Sequence, residues 1–180
     1  MDYNQLDSTN QRPSMTPFAS RWGLYLGLFL SFTLVLQIYF QKIVAPMGGF
    51  FSFLEFGLTT YLLYLGAKTY RDTRPDTPLS YGQAFKFGAF QGLFATIIVA
   101  VPFLLILYIF KPSYPQELQQ KVIDTYNQMG MNEAVIEQSM KYTKFVYSKG
   151  FLLFTSMGGT FLTSLIASLV MSAFVQKKVK

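Results

Sequence analysis

The fold is decided by the stretch SYGQAFKFGAFQGLFATIIVAVPFLLILYIF, which runs from Ser80 to Phe110. It carries no charge after Lys86, and a helix of this length would measure about 45 Å, more than the roughly 30 Å of a bilayer's hydrocarbon core. Its first residues have the form of a capping box, in which the hydroxyl of Ser80 and the side chain of Gln83 bond to each other's backbone amides. The sequence therefore predicts a membrane-spanning helix whose first turns stand outside the lipid.

Small side chains recur at every fourth position along this stretch. They are Ala84, Gly88, Gly92, Thr96 and Ala100. At this spacing they share one helix face, and small residues let two helices in a membrane approach closely. We therefore expect this face to pack against another helix, with Gly88, Gly92 and Thr96 among the contact positions.

The composition of the whole chain excludes several classes of function. Of its 180 residues, 51% are hydrophobic and only 13% are charged, which is too apolar for an ordinary soluble domain. There is no Cys and no His, so the commonest general base and the commonest metal ligands are missing, and we expect no metal and no cofactor. The net charge is +6, but the basic residues lie at the ends of apolar segments, so we do not expect nucleic acid as a partner.

Three further apolar segments have the length of membrane spans. The four predicted spans cover residues 22–40, 50–69, 84–110 and 151–175. The predicted fold class is an all-α integral membrane protein with four transmembrane helices, which form one membrane domain over residues 22–176. Residues 1–21 are polar and are predicted to form a flexible cytoplasmic tail, and residues 177–180 a basic cytoplasmic tail.

A polar region, residues 112–149, separates the third span from the fourth. Leu118, Val122 and Tyr126 share one face of an amphipathic segment, and Gly130 suits its carboxyl-terminal end. We predict a short extracytoplasmic helical hairpin between helices 3 and 4. Its apolar faces would rest on the bilayer or on the helix ends, and a lid that binds a ligand or a partner is the alternative.

Columns of small residues also occur in the first and fourth spans. The predicted packing positions are Gly23 and Gly27 in the first span and Gly159, Thr163, Ser164, Ala167 and Ser168 in the fourth. We expect these columns to pack within one bundle and their hydroxyls to bond across the interface. Contacts between copies in a homo-oligomer are the competing use of the same columns.

The charges of the short loops predict the orientation of the chain. The loop after the first span has only Lys42, whereas the loop after the second span has Lys68, Arg71 and Arg74. Because positive charge accumulates on the cytoplasmic side, both termini are predicted to be cytoplasmic. Arg71 and Arg74, together with Lys86, are also candidates for contact with lipid phosphates or with a partner's acidic tail, although ordinary positive-inside charge accounts for them as well.

Glu55 is the one ionisable side chain that lies clearly within an apolar span. An acid at such a position is costly and suggests a function. It lies five residues past Phe50, about 7–8 Å along a helix, so it could reach the outer interface, pair with Lys42 or Lys149, or bond Ser and Thr groups of the fourth span. Two roles stay open, a structural anchor and a group that handles an ion or a substrate.

Three segments resemble a known family. The motif Tyr70-Arg71-Asp72, and the run from Ser80 to Lys86 that leads into Gly88, are similar to the signature region of a bacterial membrane-protein family known as domain-of-unknown-function family 4199. The segment Gly130-Met131, followed by Glu133, Ile136 and Met140, also resembles that family. The resemblance covers roughly residues 22–175 and implies a four-helix protein of the cytoplasmic membrane in a Gram-negative lineage. It implies no activity, cofactor or site residue.

Catalytic chemistry finds no support in the sequence. No pair of carboxylates and no Ser–Lys dyad lies at matching depth on facing spans, and the glycines of the third span do not form a phosphate loop, so we do not expect an enzyme. The first hypothesis is a scaffold or accessory subunit of an assembly in the bacterial cytoplasmic membrane. Its partners would be the lipid bilayer and either further copies of the chain or another membrane protein. The alternative is a small transporter or channel that uses Glu55 to handle an ion or a substrate.

Overall fold

The computed structural model describes residues 14–41, 45–73 and 79–176, which contain six α-helices and no β-strand. The helices are α1 (Met15–Tyr39), α2 (Gly48–Asp72), α3 (Tyr81–Leu105), α4 (Tyr114–Gln128), α5 (Glu133–Val146) and α6 (Lys149–Val175). A 3₁₀ turn, Ala45–Met47, precedes α2, and a π-helical turn, Ile106–Phe110, extends α3. By length and composition α1, α2, extended α3 and α6 could each cross a membrane. The all-α prediction with four apolar spans is confirmed.

The other three long helices are arranged around α3, which packs most extensively against α1 and α6. Helix α2 packs against α6 and α1 and makes fewer contacts with α3. Side chains from all four helices meet in one apolar cluster, which includes Leu26, Leu63, Phe87 and Met171, and all four are fully buried. Small residues on two helices allow this arrangement, since Gly88 and Gly92 of α3 lie against α6 and Gly23 and Gly27 of α1 lie against α3.

The amino-terminal end of α3 has the predicted capping box. The hydroxyl of Ser80 accepts a hydrogen bond from the Gln83 amide at 3.3 Å, and the Ser80 amide donates to Gln83 Oε1 at 3.1 Å. At the other end Pro102 lies inside the helix, and the Lys111 amide donates to the Ile106 carbonyl at 2.8 Å to close the π-helical turn. The capping-box prediction is confirmed.

Helix α1 starts earlier than the sequence predicted. It begins at Met15 rather than at residue 22, so the prediction of a flexible tail is wrong for residues 15–21. The reason is tertiary packing: Ala19 is fully buried, and the ring of Phe18 meets the ring of Tyr70 edge-on at 5.6 Å. Residues 1–13 of the predicted tail, and residues 177–180, lie outside the described residues. The other predicted span ends lie within three residues of the observed ones.

Helices α4 and α5 contact each other and are joined by a short turn at Gly130. Gly130 has a φ of +68°, and the amide of Met131 donates to the carbonyl of Tyr126 at 3.1 Å, as at other helix ends that finish in a left-handed residue. Lys121 of α4 donates a hydrogen bond to the side chain of Gln41, just beyond α1. The α4–α5 pair therefore lies at the end of the molecule where α1 finishes and α2 begins.

Candidate functional site

Glu55 of α2 is held by two polar side chains of α1. The hydroxyl of Thr33 lies 3.0 Å from both Glu55 Oε1 and the Leu30 carbonyl oxygen of its own helix and shares its proton between them, and the amide nitrogen of Gln37 donates to Glu55 Oε2 at 2.9 Å. Thr33 and Gln37 are four residues apart and therefore lie on the same face of α1, one turn from each other. Each carboxylate oxygen thus accepts one hydrogen bond from the neighbouring helix.

These partners differ from those that the sequence predicted. Lys149 does not pair with Glu55. Its Nζ lies instead over the Tyr108 ring, 4.6 Å from the ring centre. The bonded hydroxyl belongs to α1 and not to the fourth span, so the prediction of Ser or Thr partners on that span is also wrong. Lys42, the other predicted partner, lies outside the described residues. Within the described ranges the ion pairs are Arg71–Asp72 and Lys111–Glu117, and neither involves Glu55.

Two cavities adjoin the carboxylate. The larger, of about 260 Å³, lies between α2 and α6 and is lined by Leu30, Ser52, Glu55, Phe56, Thr59, Thr160, Thr163 and Ser164. The smaller, of about 180 Å³, is lined by Leu30, Leu34, Gln37, Glu55, Val99, Ser156 and Thr160. Glu55 and Thr160 therefore face both cavities, and most of the remaining polar lining is hydroxyl groups.

Thr59 is the least satisfied of these hydroxyls. Its side chain is only 1% exposed, and its Oγ1 has no hydrogen-bond partner among the described residues. The hydroxyl of Ser164, in contrast, donates to the Thr160 carbonyl of its own helix at 2.9 Å. A buried hydroxyl without a partner is unfavourable, so the packing around Thr59 leaves one polar group unsatisfied.

Away from Glu55, α1, α2 and α3 converge on Gln91. This side chain is fully buried, and its amide nitrogen donates to the Leu62 carbonyl of α2 at 3.1 Å. A Cβ added at Gly66 would lie 2.6 Å from Gln91 Oε1 and 3.0 Å from the side chain of Trp22. The three helices are therefore in close contact here, whereas α2 and α6 leave a space between them beside Glu55.

The predicted small residues of α1 lie against α3. A Cβ added at Gly23 would lie 2.6 Å from Phe94 Cβ, and one added at Gly27 would lie 2.6 Å from Ile98 Cβ. Neither position has room for a side chain without a shift of the α3 backbone. These two glycines bring α1 and α3 together.

The small residues of α3 face α6 in the same way. A Cβ added at Gly88 would collide with the hydroxyl of Ser168, and one added at Gly92 would lie 2.5 Å from Ser164 Cβ. Thr96 is buried, and its hydroxyl donates to the Gly92 carbonyl of its own helix at 2.9 Å. Ser168 likewise donates to the Ser164 carbonyl at 2.6 Å. The prediction that these hydroxyls bond across the interface is therefore wrong, because they bond within their helices.

Three other predicted packing positions of α6, Gly159, Thr163 and Ala167, differ in their surroundings. Ala167 is fully buried, but Gly159 and Thr163 are exposed, and a Cβ added at Gly159 would meet no atom within 4 Å. The prediction that Gly159 and Thr163 are helix-packing positions is wrong for this chain on its own. The physical reason is the cavity, since Thr163 lines the space between α2 and α6 instead of touching α2.

The three basic candidates differ in their surroundings. Arg71 Nη1 donates to the Val175 carbonyl at the end of α6 at 3.3 Å, and Arg71 Nη2 pairs with Asp72 at 3.0 Å. A positive charge at a carboxyl-terminal helix end is stabilising, so Arg71 already has a structural role. Arg74 lies outside the described residues, and Lys86 is exposed near the start of α3.

One protein-family model matches nearly all of the described helices. The model of the family described as "Protein of unknown function (DUF4199)" matches residues 21–177. The chain belongs to the DUF4199 family. No curated protein and no solved structure matches it. The match includes Glu55, its two partners on α1 and both cavities, so the site lies inside the family domain.

Glu55 is conspicuous in the sequence, but the full set of residues around it is not. Thr33 and Gln37 of this DUF4199 chain could have been predicted as partners of a buried acid. They are polar, lie one turn apart, and are the only polar residues between positions 32 and 38. Thr59 carries no such signal, since a threonine on an apolar helix is common. Among the described residues no group of three or more His, Cys, Asp or Glu could hold a metal ion.

A second polar group links the end of α3 to α4. Lys111 pairs with Glu117 at 2.7 Å, and the hydroxyl of Ser113 donates to the same carboxylate at 3.0 Å. The hydrogen bond from Lys111 is the main reason why the pKa of Glu117 lies below its ordinary value of 4.5. Burial is the main reason why the pKa of Tyr114 lies above its ordinary value of 10.0. Tyr114 and Glu117 both lie in α4, at the end of the molecule where α1 finishes and α2 begins.

Proposed function

We propose that this protein is a non-catalytic component of the bacterial cytoplasmic membrane, which acts as a scaffold or an accessory subunit of a membrane assembly. In this proposal the four long helices form a transmembrane bundle with both termini in the cytoplasm. The α4–α5 pair then lies on the outer side of the membrane. The positive charges between the second and third predicted spans favour this orientation.

The observation that supports a non-catalytic role is the way in which the polar groups of the helix interfaces are used. Ser168 and Thr96 bond to carbonyls of their own helices, so their hydroxyls are occupied in packing. Gly88 and Gly92 let α6 approach α3 closely. Nucleophilic catalysis needs a hydroxyl or amine beside a base, whereas the hydroxyls of Ser168 and Thr96 bond to backbone carbonyls.

The surface of the α4–α5 pair supports an association role. Three large side chains of this pair, Met129, Tyr142 and Phe145, are 65%, 72% and 66% exposed. Exposed apolar groups outside the spans favour contact with the membrane surface or with another protein. A partner that uses this surface would dock at the end of the molecule where α1 finishes and α2 begins.

The experiment is co-purification of the tagged full-length chain from membranes in a mild detergent, with the mass of the complex measured by light scattering. We expect a complex larger than one chain plus detergent, either an oligomer or an assembly with another membrane protein at a fixed ratio. A double variant, Tyr142→Ser with Phe145→Ser, should shrink the complex. Lys144→Ser is the control, because Lys144 is an exposed polar residue of the same helix.

A measured mass equal to one chain plus detergent, with no partner at a fixed ratio before or after chemical cross-linking in the membrane, would contradict the scaffold proposal. A complex that both the double variant and the control leave intact would show that the α5 surface is not the contact. The two results are separate, because the first concerns the role and the second its location.

A small transporter or channel is the second candidate. One observation favours it: the cavities beside Glu55 have mostly hydroxyl groups as their polar lining, as a site for an ion or a polar solute would. Against it, the polar lining of these two cavities includes neither Gln91 nor Gly66, where α1, α2 and α3 converge. Transport would require this contact to open.

A further inference from the structure

The carboxylate of Glu55 has hydrogen bonds but no described counter-charge. Its two partners, Thr33 and Gln37, are neutral. The lysines whose contacts are described near this end are engaged elsewhere, Lys111 with Glu117 and Lys149 with the Tyr108 ring. An ionised carboxylate within an apolar span is costly unless a positive charge accompanies it. A mobile positive charge in the adjoining cavity would remove this cost.

The larger cavity offers the oxygen atoms that such a charge prefers. Glu55 lies in its wall together with hydroxyls from α2 and α6, which belong to Ser52, Thr59, Thr160, Thr163 and Ser164. Hard cations select carboxylate, hydroxyl, carbonyl and water oxygens over nitrogen and sulfur. The hydroxyl of Thr59, in a side chain only 1% exposed, has no hydrogen-bond partner among the described residues, so its lone pairs are not used by the protein.

The number of charges selects the class of cation. Glu55 is the single carboxylate in the lining of either cavity, and no cluster of three metal-binding side chains exists in the described part of the chain. One positive charge neutralises the site, whereas a divalent ion would leave an excess. We propose that the cavity beside Glu55 is a binding site for a small monovalent metal cation, such as sodium, held by the Glu55 carboxylate and the Thr59 hydroxyl.

The size of the cavity is consistent with a partly hydrated ion. Its 260 Å³ exceeds the roughly 30 Å³ that one water occupies in the liquid, so water can complete the coordination. Glu55 lies seven residues after the start of α2 at Gly48, about 10 Å along the helix. An ion would therefore enter from the end where the α4–α5 pair lies.

The inference goes beyond the scaffold proposal and does not depend on it. A bound cation could stabilise the contact between α2 and α6 in a protein that transports nothing. The same site would be the first requirement for the transport candidate. Binding and partner association are therefore measured in different experiments.

The test is thermal unfolding of the full-length chain in detergent, titrated with lithium, sodium or potassium chloride. Ionic strength is kept constant with N-methylglucamine chloride, whose cation is too large for the site. We expect a saturable rise in the unfolding temperature with at least one alkali ion. Glu55→Gln should abolish the rise, and Thr59→Val should increase the ion concentration for half of the effect by about tenfold, a typical loss when a supporting ligand is removed.

Two further variants separate binding from general effects of charge and shape. Thr59→Ser keeps the hydroxyl and should keep the response of the native chain. Glu117→Gln removes a carboxylate that lies outside the cavity and should also leave the response unchanged. An equal rise in the native chain and in Glu55→Gln, or no rise with any of the three ions, would overturn the proposal.

Radioactive sodium binding to the purified native chain and to Thr59→Val gives a second measurement, which does not require Glu55→Gln to fold. We expect saturable binding that unlabelled sodium competes away and that Thr59→Val weakens. A lipid amine has the same single positive charge, so phosphatidylethanolamine is added in a parallel arm. Stabilisation by this lipid alone, with no response to the metal ions, would assign the site to a headgroup and reject the metal cation.

Discussion

Gly92 of α3 and Ser164 of α6 approach so closely that a Cβ added at Gly92 would lie 2.5 Å from Ser164 Cβ. There is no room for a side chain at Gly92, because Ser164 is fully buried and its Cβ already occupies the space that such a side chain would need. The two helices can therefore approach this closely only because Gly92 has no side chain. A test of the packing follows directly from this pair.

Gly92→Leu should destabilise the protein by about 3 kcal/mol, at the upper end of overpacking costs, because the added side chain cannot avoid α6. The matched control is Gly159→Leu, since a Cβ at Gly159 meets nothing within 4 Å. We expect the control to change the stability by no more than about 0.5 kcal/mol. Unfolding in detergent measures both, and equal losses would contradict the packing described here.

The bond between Glu55 and its partners on α1 can be measured with a double-mutant cycle. Thr33→Val removes the hydroxyl that donates to Oε1 and should lower the free energy of unfolding by about 1.5 kcal/mol, the lower end of the range for hydrogen bonds to a charged group, because the hydroxyl also reaches the Leu30 carbonyl. In a Glu55→Leu background the same substitution should cost much less, because the partner is already gone.

Thr69→Val is the control for that cycle. The Thr69 hydroxyl donates to the Leu65 carbonyl of its own helix at 2.8 Å and is exposed, so its loss should be independent of Glu55. Equal costs of Thr33→Val in both backgrounds would mean that the Thr33–Glu55 bond contributes nothing to stability.

The Lys111–Glu117 pair predicts a weak dependence of stability on pH. The folded pKa of Glu117 lies below its ordinary value of 4.5, so the unfolded chain binds the proton more readily. Stability from this group is therefore present above pH 4.5 and is lost as the pH falls through the folded pKa. Because the pair is partly exposed to solvent, the loss should stay below about 1 kcal/mol.

Comparison of the native chain with Glu117→Gln between pH 6 and pH 3 isolates this contribution, since the amide does not titrate. The variant should show a flatter decline of the unfolding temperature, by about 1 kcal/mol or less when converted to free energy. A steeper decline in the variant than in the native chain would give the interaction the wrong sign.

The orientation of the chain can be tested with single cysteines, because the native sequence contains none. Gln138 of α5 and Thr16 of α1 are both exposed. In intact cells we expect an impermeant thiol reagent to label Gln138→Cys but not Thr16→Cys. The reverse pattern would place both termini outside and would invert the topology proposed here.

Sequence alone predicted those features that depend on regular spacing and on strong local signals. The capping box at Ser80 and the close approach at Gly92 follow from residue type and the helical repeat, which act within one or two turns. The early start of α1 could not be predicted in this way. Ala19 and Phe18 look like part of a polar stretch until the helices pack, when Ala19 becomes buried and the ring of Phe18 meets Tyr70 of α2.

The candidate site illustrates the same limit. The cost of a carboxylate in an apolar span made Glu55 conspicuous, but the choice between α1 and α6 as its partner depends on how the helices rotate about their axes. Thr33 and Thr163 are equally polar in the sequence. Only the packing shows that Thr33 bonds to the carboxylate while Thr163 lines a cavity.

The most direct test of the scaffold proposal against the transport candidate is complementation of a deletion strain by Glu55→Gln, with the amount and unfolding temperature of the protein measured alongside. The glutamine amide can still bond to Thr33 and Gln37, and it removes the charge that calls for a cation. We predict that Glu55→Gln is stable and complements fully. A stable Glu55→Gln protein that fails to complement would contradict the scaffold proposal and would assign an ion-handling role to the carboxylate.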